Sequence, residues 1–512
     1  MANAEKKQKG NFKQLNFCRH EFCIYFGVYI AYLMYGVYTL LQLRGVLQQN
    51  SGFSRDPYNY ELDIFNDYLR RNWHWYLFHA IATTVARLFL TASTMSIVFA
   101  CLSVPSLLSI FPLKMLSYLL AMLIIFYLVA YIGSKKIIWL VTALWVAVMN
   151  ILAFYIKSPF EEEQTIFYML SVILFWTLLR CCSFAHFFLG HKHKEKTFWE
   201  PITLTHFLGY TLYFPTLANG PFLDYKRYIV MPDVEKQPTG PYRKLSHFGY
   251  ELLRVLFWWL CLELGMRYLF VHYIAMVPNM AKLVKSPFGR HAIGYFLGQF
   301  FFLTYLVKYG LGIAFARYDG MQPPRKPQCI GHIHYYSNMW KHFDEGLYEF
   351  LFDYIYHPLV QAGYTKFVST VLTFAFIFMW HGCQTDILIW TVMNFLCLIT
   401  EKCLKCAVCS EFYKGWFEKK LGQQLSQRFN AIIFSQLFIV AAFSNVFFIG
   451  STEMGVSLMI NAYGNGFINY LALSFCCYCF FQCSELISIN QNDEGIGKKN
   501  ESYTVKNITK ID

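Results

Sequence analysis

Long uninterrupted apolar runs are the feature that most constrains the fold of this chain. Runs such as Phe22–Leu41 recur between residues 22 and 484, and a helix needs about 20 mostly apolar residues to cross the hydrocarbon core of a bilayer. The composition agrees, because 56% of the 512 residues are hydrophobic and only 15% are charged, which a water-soluble domain of this length does not need. The sequence therefore predicts an all-α integral membrane protein.

Ten or eleven membrane-spanning helices are predicted from the apolar windows. They lie near residues 22–42, 77–101, 115–133, 137–156, 166–189, 249–277, 293–317, 366–380, 385–402, 430–449 and 466–484. Residues 43–76 mix charged and aromatic side chains, which indicates an ordered loop or an interfacial helix. We divide the chain into a basic tail (1–21), a polytopic membrane domain (22–485) and a polar C-terminal tail (486–512), with no repeat and no separate soluble domain.

The net charge of +13 does not indicate nucleic-acid binding, because the lysines and arginines are scattered through short connections between apolar runs. Basic residues before Phe22 favour a cytosolic N-terminus followed by a signal anchor. Two glycosylation sequons, at 500–502 and 507–509, are usable only if the C-terminal tail is luminal. The spacing Cys403-x-x-Cys406-x-x-Cys409 could bind a metal, but no partner pair follows it, so cysteines at a helix end, lipidated or free, fit at least as well.

Two moderately apolar stretches are interrupted by proline, glycine and polar residues. The first covers about residues 201–223 and contains Asn219-Gly220-Pro221; the second covers about residues 335–360. Broken backbone at membrane depth is tolerated only where it is buried in protein or lines a wet cavity. We therefore predict two re-entrant segments around a cavity, and a tunnel through the membrane if substrates enter from both sides.

Ionisable side chains in apolar segments are candidates for function. For Arg87 and Glu263, a structural ion pair or snorkelling to the headgroups is as good an explanation as catalysis, and we assign both residues a packing role. His381 ends an apolar run at Gly382, which favours an imidazole exposed at a helix end; a hydrogen-bonded core histidine is the alternative. Asp344 lies in the second broken stretch, and its alternative is a solvated carboxylate paired with Lys341.

Several strings around these residues resemble the membrane-bound O-acyltransferase superfamily. They are Arg317-Tyr-Asp-Gly320, Pro323-Pro324, Met339-Trp340, Phe343-Asp344-x-Gly346-Leu347, Thr373-Phe-Ala-Phe376, Trp380-His381-Gly382 and Ser444-Asn445. Position 344 is aspartate rather than asparagine. In this the sequence resembles the subgroup of protein-cysteine N-palmitoyltransferases that acylate Hedgehog-type ligands. The resemblance covers roughly residues 75 to 485.

The resemblance implies a multi-pass enzyme of the endoplasmic reticulum or Golgi membrane. It would transfer palmitate from palmitoyl-CoA to the N-terminal cysteine of a secreted signalling protein, with membrane lipid around it. His381 and Asp344 would be the catalytic pair, Trp340 would lie against the acyl chain and Asn445 would be a further polar group of the active site. Cys329 matches a haem-ligating cysteine of the family, so the resemblance implies haem as a cofactor.

Residue chemistry leaves the mechanism open. His381 is the natural base for an amine that is mostly protonated near neutral pH, and Asp344 either orients the imidazole or assists the thiol leaving group. Attack by the cysteine thiol followed by an S-to-N shift is equally consistent. Arg317, Arg325, Lys326 and Lys341 are available for the phosphates of CoA or serve as cytosolic positive charge.

Two other functions fit the same sequence features. One is acyl transfer to a lipid hydroxyl or to a serine of a peptide. The other is transport, because broken segments at the membrane midplane also mark the substrate sites of transporters.

Overall fold

The computed structural model describes residues 19–91, 94–151, 164–191, 201–229 and 241–498. Within these ranges the regular structure is helical and no strand occurs. The α-helices are Arg19–Ser51, Tyr60–Ala86, Met95–Leu108, Leu113–Ile132, Lys135–Asn150, Gln164–His191, Pro201–Thr211, Tyr225–Ile229, Pro241–Tyr268, Val271–Met276, Pro287–Tyr318, Tyr336–His342, Glu345–Phe350, His357–Gln361, Lys366–His381, Thr385–Val408, Lys419–Leu421, Gln423–Ile449, Thr452–Gly464 and Phe467–Lys498. Most of the basic N-terminal tail, residues 152–156 and both sequons lie outside the described residues.

Seven helices in the described part of the chain are long and apolar enough to cross a membrane. They begin at residues 20, 113, 165, 287, 385, 423 and 467, and two shorter apolar helices, Met95–Leu108 and Lys366–His381, accompany them. The predicted all-α membrane class is thereby supported by length and composition. The predicted number of ten or eleven spans is not confirmed and stays a prediction.

Two details of the predicted helices are wrong. Residues 77–101 do not form one helix, because the first helix ends at Ala86 and the next begins at Met95. Arg87 caps the first helix and its guanidinium lies beside Asp319, so the apolar run contains a helix end. The predicted helix 249–277 is interrupted at Phe270, which has a left-handed φ of 50°. Residues 43–76, predicted as an ordered loop or an interfacial helix, are mostly helical, with only residues 52–59 between the two helices.

The helix Pro287–Tyr318, which we call the central helix, organises the bundle. It packs against Arg19–Ser51, Pro241–Tyr268, Gln423–Ile449 and Thr452–Gly464. Gly312 lets the first broken segment approach its backbone, because a Cβ at this position would overlap the carbonyl oxygen of Gly220. At 32 residues the central helix is about 48 Å long, so its two ends lie near opposite faces of the protein.

The first broken segment is held by a buried arginine. After the helix Pro201–Thr211 the chain makes a single 3-10 turn at Phe214–Thr216 and continues without regular structure to Asp224. Arg180, which is only 1% exposed, donates from Nη1 to the Thr211 carbonyl oxygen at 3.3 Å and from Nη2 to the Thr216 carbonyl oxygen at 2.5 Å. Buried carbonyls outside a helix need such donors, so Arg180 stabilises this irregular backbone.

The two ionisable residues assigned to packing form ion pairs. The guanidinium of Arg87 lies 3.6 Å from the Asp319 carboxylate, which also bonds Nε2 of His79 at 2.8 Å and the hydroxyl of Tyr213 at 2.5 Å. Glu263 accepts from Nε of Arg55 at 2.8 Å. The structural ion-pair interpretation of both residues is confirmed.

The second broken segment is a series of short helical pieces. Tyr336–His342 and Glu345–Phe350 are followed by a π-helical turn at Leu351–Tyr356 and a last short helix at His357–Gln361. The predicted interruption of the backbone is therefore confirmed, and its re-entrant course through a membrane stays a prediction. The chain breaks between the first two pieces at Asp344, which places that carboxylate at a helix start.

Candidate active site

One apolar cavity of about 310 Å³ contains four of the residues predicted to form the active site. Asp344 and Trp340 reach it from the second broken segment, His381 from the end of its helix, and Asn445 from the helix Gln423–Ile449. Aromatic side chains dominate the rest of the wall. They include Trp176, Phe301, Tyr305, Tyr309, Tyr336, Phe343, Trp380, Trp390 and Phe448.

Asp344 is fixed by both of its carboxylate oxygens. As the N-cap of Glu345–Phe350 it accepts a hydrogen bond from the Leu347 backbone N–H to Oδ1 at 2.9 Å, the usual role of aspartate at a helix start. Its Oδ2 accepts a second hydrogen bond from the Tyr309 hydroxyl at 2.6 Å. The carboxylate is therefore held in one orientation on the cavity wall.

His381 is the last residue of its helix, and Gly382 caps that helix in the left-handed region with a φ of 116°. The imidazole is held by ring contacts: its centroid lies 5.4 Å from Trp390 and 5.0 Å from Phe448, both nearly edge-on. Among the described residues, no side chain or backbone group forms a hydrogen bond with its ring nitrogens. Both nitrogens are thus available to a substrate in the cavity.

Asp344 and His381 line the same cavity without contacting each other. No hydrogen bond or ion pair joins the two side chains in the described part of the chain, although His79 and His272 do lie within ion-pair distance of aspartates. The two groups are therefore not a hydrogen-bonded dyad in this conformation. A substrate between them could meet the imidazole and the carboxylate at different atoms.

The two predicted substrate-binding residues, Asn445 and Trp340, both contact Trp390, whose ring packs against the imidazole of His381. Asn445 accepts a hydrogen bond at Oδ1 from Nε1 of Trp390 at 3.0 Å, and Trp390 is one of the two rings that contact His381. The Trp340 ring lies 5.8 Å from the Trp390 ring, and its own indole N–H has no hydrogen-bond partner among the described residues. Asn445 thus holds the aromatic wall beside the imidazole.

Several cavity residues were not singled out from the sequence. Tyr309 contacts Asp344 as described above, and Tyr305 donates to Oε1 of Glu61 at 3.3 Å. Glu61 also pairs with Lys308 at 3.0 Å, which places an ion pair behind the cavity wall. The tyrosine spacing of four residues on a helix was a signal for a shared face, but nothing in the sequence linked that face to Asp344.

The basic residues considered for CoA phosphates are mostly engaged with carboxylates. Arg325 donates from Nε to Glu345 at 2.7 Å, Arg317 pairs with Glu251 at 3.1 Å, and Lys326 pairs with Glu251 as well. Lys341 is exposed. These groups lie near the C-terminal end of the central helix, so any phosphate site there would have to compete with existing ion pairs.

Cys329 lies beside the cavity wall at the tyrosine pair Tyr29 and Tyr295. Its thiol donates to Oε1 of Gln299 at 3.8 Å, and burial raises the pKa of the Cys329 thiol. In the described ranges, no group of three or more His, Cys, Asp or Glu side chains could hold a metal ion. If haem bound at this position, the Cys329 thiolate would be the group that holds it.

The described helices thus enclose an aromatic cavity that holds one imidazole free of hydrogen bonds and one oriented carboxylate. The family model described as membrane-bound O-acyltransferase (MBOAT) matches residues 121–444. The match covers more than half of the chain, and the chain belongs to this family.

Three relatives among known proteins are similar to this chain in sequence. The chain is 39% identical over 486 residues to protein-cysteine N-palmitoyltransferase Rasp of Drosophila melanogaster, covering 92% of this chain and 95% of that protein. It is 29% identical over 257 residues to protein-cysteine N-palmitoyltransferase HHAT of Mus musculus, covering 48% of this chain and 50% of that protein. It is also 24% identical over 204 residues to membrane-bound O-acyltransferase GUP1 of Candida tropicalis, covering 40% of this chain and 34% of that protein.

Proposed function

We propose that this protein transfers palmitate from palmitoyl-CoA to the N-terminal cysteine of a secreted signalling protein of the Hedgehog type, forming an amide. The observation that carries the proposal is the cavity that brings His381 and Asp344 together. It supports this function because the chain is similar over nearly its whole length to a protein named as a protein-cysteine N-palmitoyltransferase. Membership in an acyltransferase family favours an enzyme over a transporter.

The chemistry needs a neutral nucleophile and an activated acyl donor, and palmitoyl-CoA is already activated as a thioester. His381 accepts a proton from the acceptor's α-ammonium, whose reference pKa is about 7.7–8.0, through a ring nitrogen that has no other partner in the described structure. The amine nitrogen then attacks the thioester carbonyl, the C–N bond forms and the C–S bond breaks. The nitrogen loses its second proton as it becomes an amide, and the departing CoA sulfur takes up that proton and leaves as a thiol.

Asp344 acts from a separate position in this scheme. It does not touch His381, so we assign it to the leaving-group side of the cavity instead of to orientation of the imidazole. The route through attack by the cysteine thiol uses the same two residues, with an S-to-N shift as its last step. Trp340 and the neighbouring rings supply an apolar wall for the acyl chain.

We place the enzyme in the endoplasmic-reticulum or Golgi membrane, with donor and acceptor entering from opposite faces through a tunnel that contains this cavity. In this proposal the two ends of the central helix lie at the two faces. Arg290 donates to the Val284 carbonyl oxygen near one end, and Arg317 pairs with Glu251 near the other. The tails 1–21 and 486–512 flank the membrane domain 22–485 in this proposal.

Haem ligation by Cys329 stays a prediction. Cys329 would hold the haem iron through its thiolate, and its hydrogen-bond partner Gln299 would lie beside that sulfur. No step of the transfer reaction depends on it.

The acceptor is tested with purified protein, palmitoyl-CoA and three peptides that differ only at the N-terminus, beginning with cysteine, serine or N-acetylcysteine. We expect stable amide-linked palmitate on the cysteine peptide and none on the acetylated peptide, because acetylation removes the nucleophilic amine. Mass spectrometry after hydroxylamine treatment distinguishes the amide from a thioester. Transfer only to the serine peptide, or only to a lysolipid, would rule out the proposed acceptor.

A further inference from the structure

The Asn219-Gly220-Pro221 turn leaves space for the ring of Tyr309. Gly220 has a φ of 69°, and a Cβ at this position would lie 2.7 Å from Cε1 of Tyr309 and 3.0 Å from the ring of Trp176. A side chain at position 220 would therefore displace Tyr309. The turn is itself seated against the central helix at Gly312, where a Cβ would overlap the Gly220 carbonyl oxygen.

Tyr309 connects this turn to the active site. Its side chain is almost fully buried, with 2% exposure, and its hydroxyl donates to Oδ2 of Asp344 at 2.6 Å. A carboxylate in an apolar cavity is stabilised by hydrogen-bond donors, and an oxygen that loses its donor pays the full cost of desolvation. The backbone N–H at the helix N-terminus donates to Oδ1, so the hydrogen bond to Oδ2 comes from the Tyr309 hydroxyl.

The same broken segment contacts Asp344 from a second side. A Cβ on Gly346, two residues after Asp344, would overlap the carbonyl oxygen of Phe222. The short helix that Asp344 caps is thus packed directly on the backbone that follows the turn. One irregular stretch therefore fixes both the ring that donates to Asp344 and the helix start that carries it.

We propose that Tyr309 is a positioning residue for Asp344, and that the Asn219-Gly220-Pro221 turn seats its ring for that purpose. The inference rests on the proposed acyl transfer for its kinetic readout. Without the hydroxyl, the carboxylate keeps only its bond to the Leu347 N–H and rotates away from the geometry that serves the reaction. Because the hydroxyl is already engaged with Asp344, its loss should lower turnover more than affinity for palmitoyl-CoA.

The kinetic test compares Tyr309→Phe with wild type. We expect kcat to fall about 10- to 100-fold, the equivalent of one hydrogen bond to a charged group, while KM for palmitoyl-CoA changes less than about twofold. Gly220→Ala should reproduce the loss with the Tyr309 hydroxyl still present, because the added methyl group displaces the ring. Tyr228→Phe is the matched control: it removes a buried hydrogen bond of the same kind, to Ser96 at 2.8 Å, outside the cavity, and should retain wild-type kcat.

A second measurement does not depend on palmitate transfer. Dicyclohexylcarbodiimide modifies carboxyl groups in apolar surroundings, and labelling of Asp344 can be followed by mass spectrometry of the peptide that contains it. We expect labelling to be several-fold faster in Tyr309→Phe than in wild type, and unchanged in Tyr228→Phe. Equal labelling rates in all three proteins would overturn the positioning role, as would a kcat loss in Tyr228→Phe equal to that in Tyr309→Phe. If wild type transfers no palmitate but the labelling rates differ as expected, the proposed function fails and the positioning role stands.

Discussion

Replacing His381 with alanine is expected to lower kcat for palmitate transfer by about 10²- to 10⁴-fold, the usual contribution of a general base, with little loss of folding stability. The imidazole has edge-on contacts with Trp390 and Phe448 and no hydrogen bond in the described structure, so its removal deletes few stabilising interactions. The helix cap is formed by the backbone of Gly382 and survives the substitution. Initial rates at saturating palmitoyl-CoA and acceptor peptide measure the effect.

His186→Ala is the control for that experiment. His186 packs 5.7 Å from the ring of Trp139 and does not line the cavity, so its loss should leave turnover near wild type. A thermal midpoint within a few degrees of wild type for His381→Ala would show that the rate change is chemical. Unchanged turnover in His381→Ala would remove this residue as the base.

Replacing Asp319 with alanine is expected to destabilise the fold by about 3–5 kcal/mol, the cost of removing one partner from a buried charge cluster. Asp319 has no exposed surface, and its carboxylate bonds Nε2 of His79 and the hydroxyl of Tyr213 and lies beside Arg87. Removal leaves the guanidinium of Arg87 buried with less compensation. The thermal midpoint in detergent and the yield of monodisperse protein report the loss.

Asp67→Ala is the matched comparison, because Asp67 pairs with Arg70 and Arg71 on the protein surface. Pairs of this kind contribute about 0–1 kcal/mol, so this variant should be close to wild type. Equal destabilisation by both substitutions would contradict the assignment of Asp319 to a structural cluster.

The membrane class and most of the helices were predictable from the sequence because apolar runs of membrane length report directly on helices. The run at 77–101 misled, because nothing in it marks the helix end after Ala86, where Arg87 pairs with Asp319, a residue far away in the sequence. The helix Thr452–Gly464 was missed because it is short and moderately apolar. Its start is set by the side chain of Ser451, which accepts from the Met454 N–H.

The sequence indicated four residues that line the cavity, but neither their geometry nor their partners such as Tyr309. Local strings indicated Asp344 and His381, and the structure places both on one cavity. Their separation within that cavity, the Trp390 bridge between Asn445 and His381, and the Tyr309 hydrogen bond to Asp344 all depend on contacts between distant helices. Hydrophobic periodicity records which face of a helix is buried and not which partner it meets.

Photo-crosslinking with a palmitoyl-CoA analogue that carries a diazirine on its acyl chain tests most directly the claim that this cavity is where acyl transfer takes place. Labelled residues should map to the aromatic wall, including Trp340, Phe343 and Phe448, and excess palmitoyl-CoA should suppress the labelling. Labelling confined to membrane-facing helices such as Leu113–Ile132, and unaffected by palmitoyl-CoA, would contradict the claim.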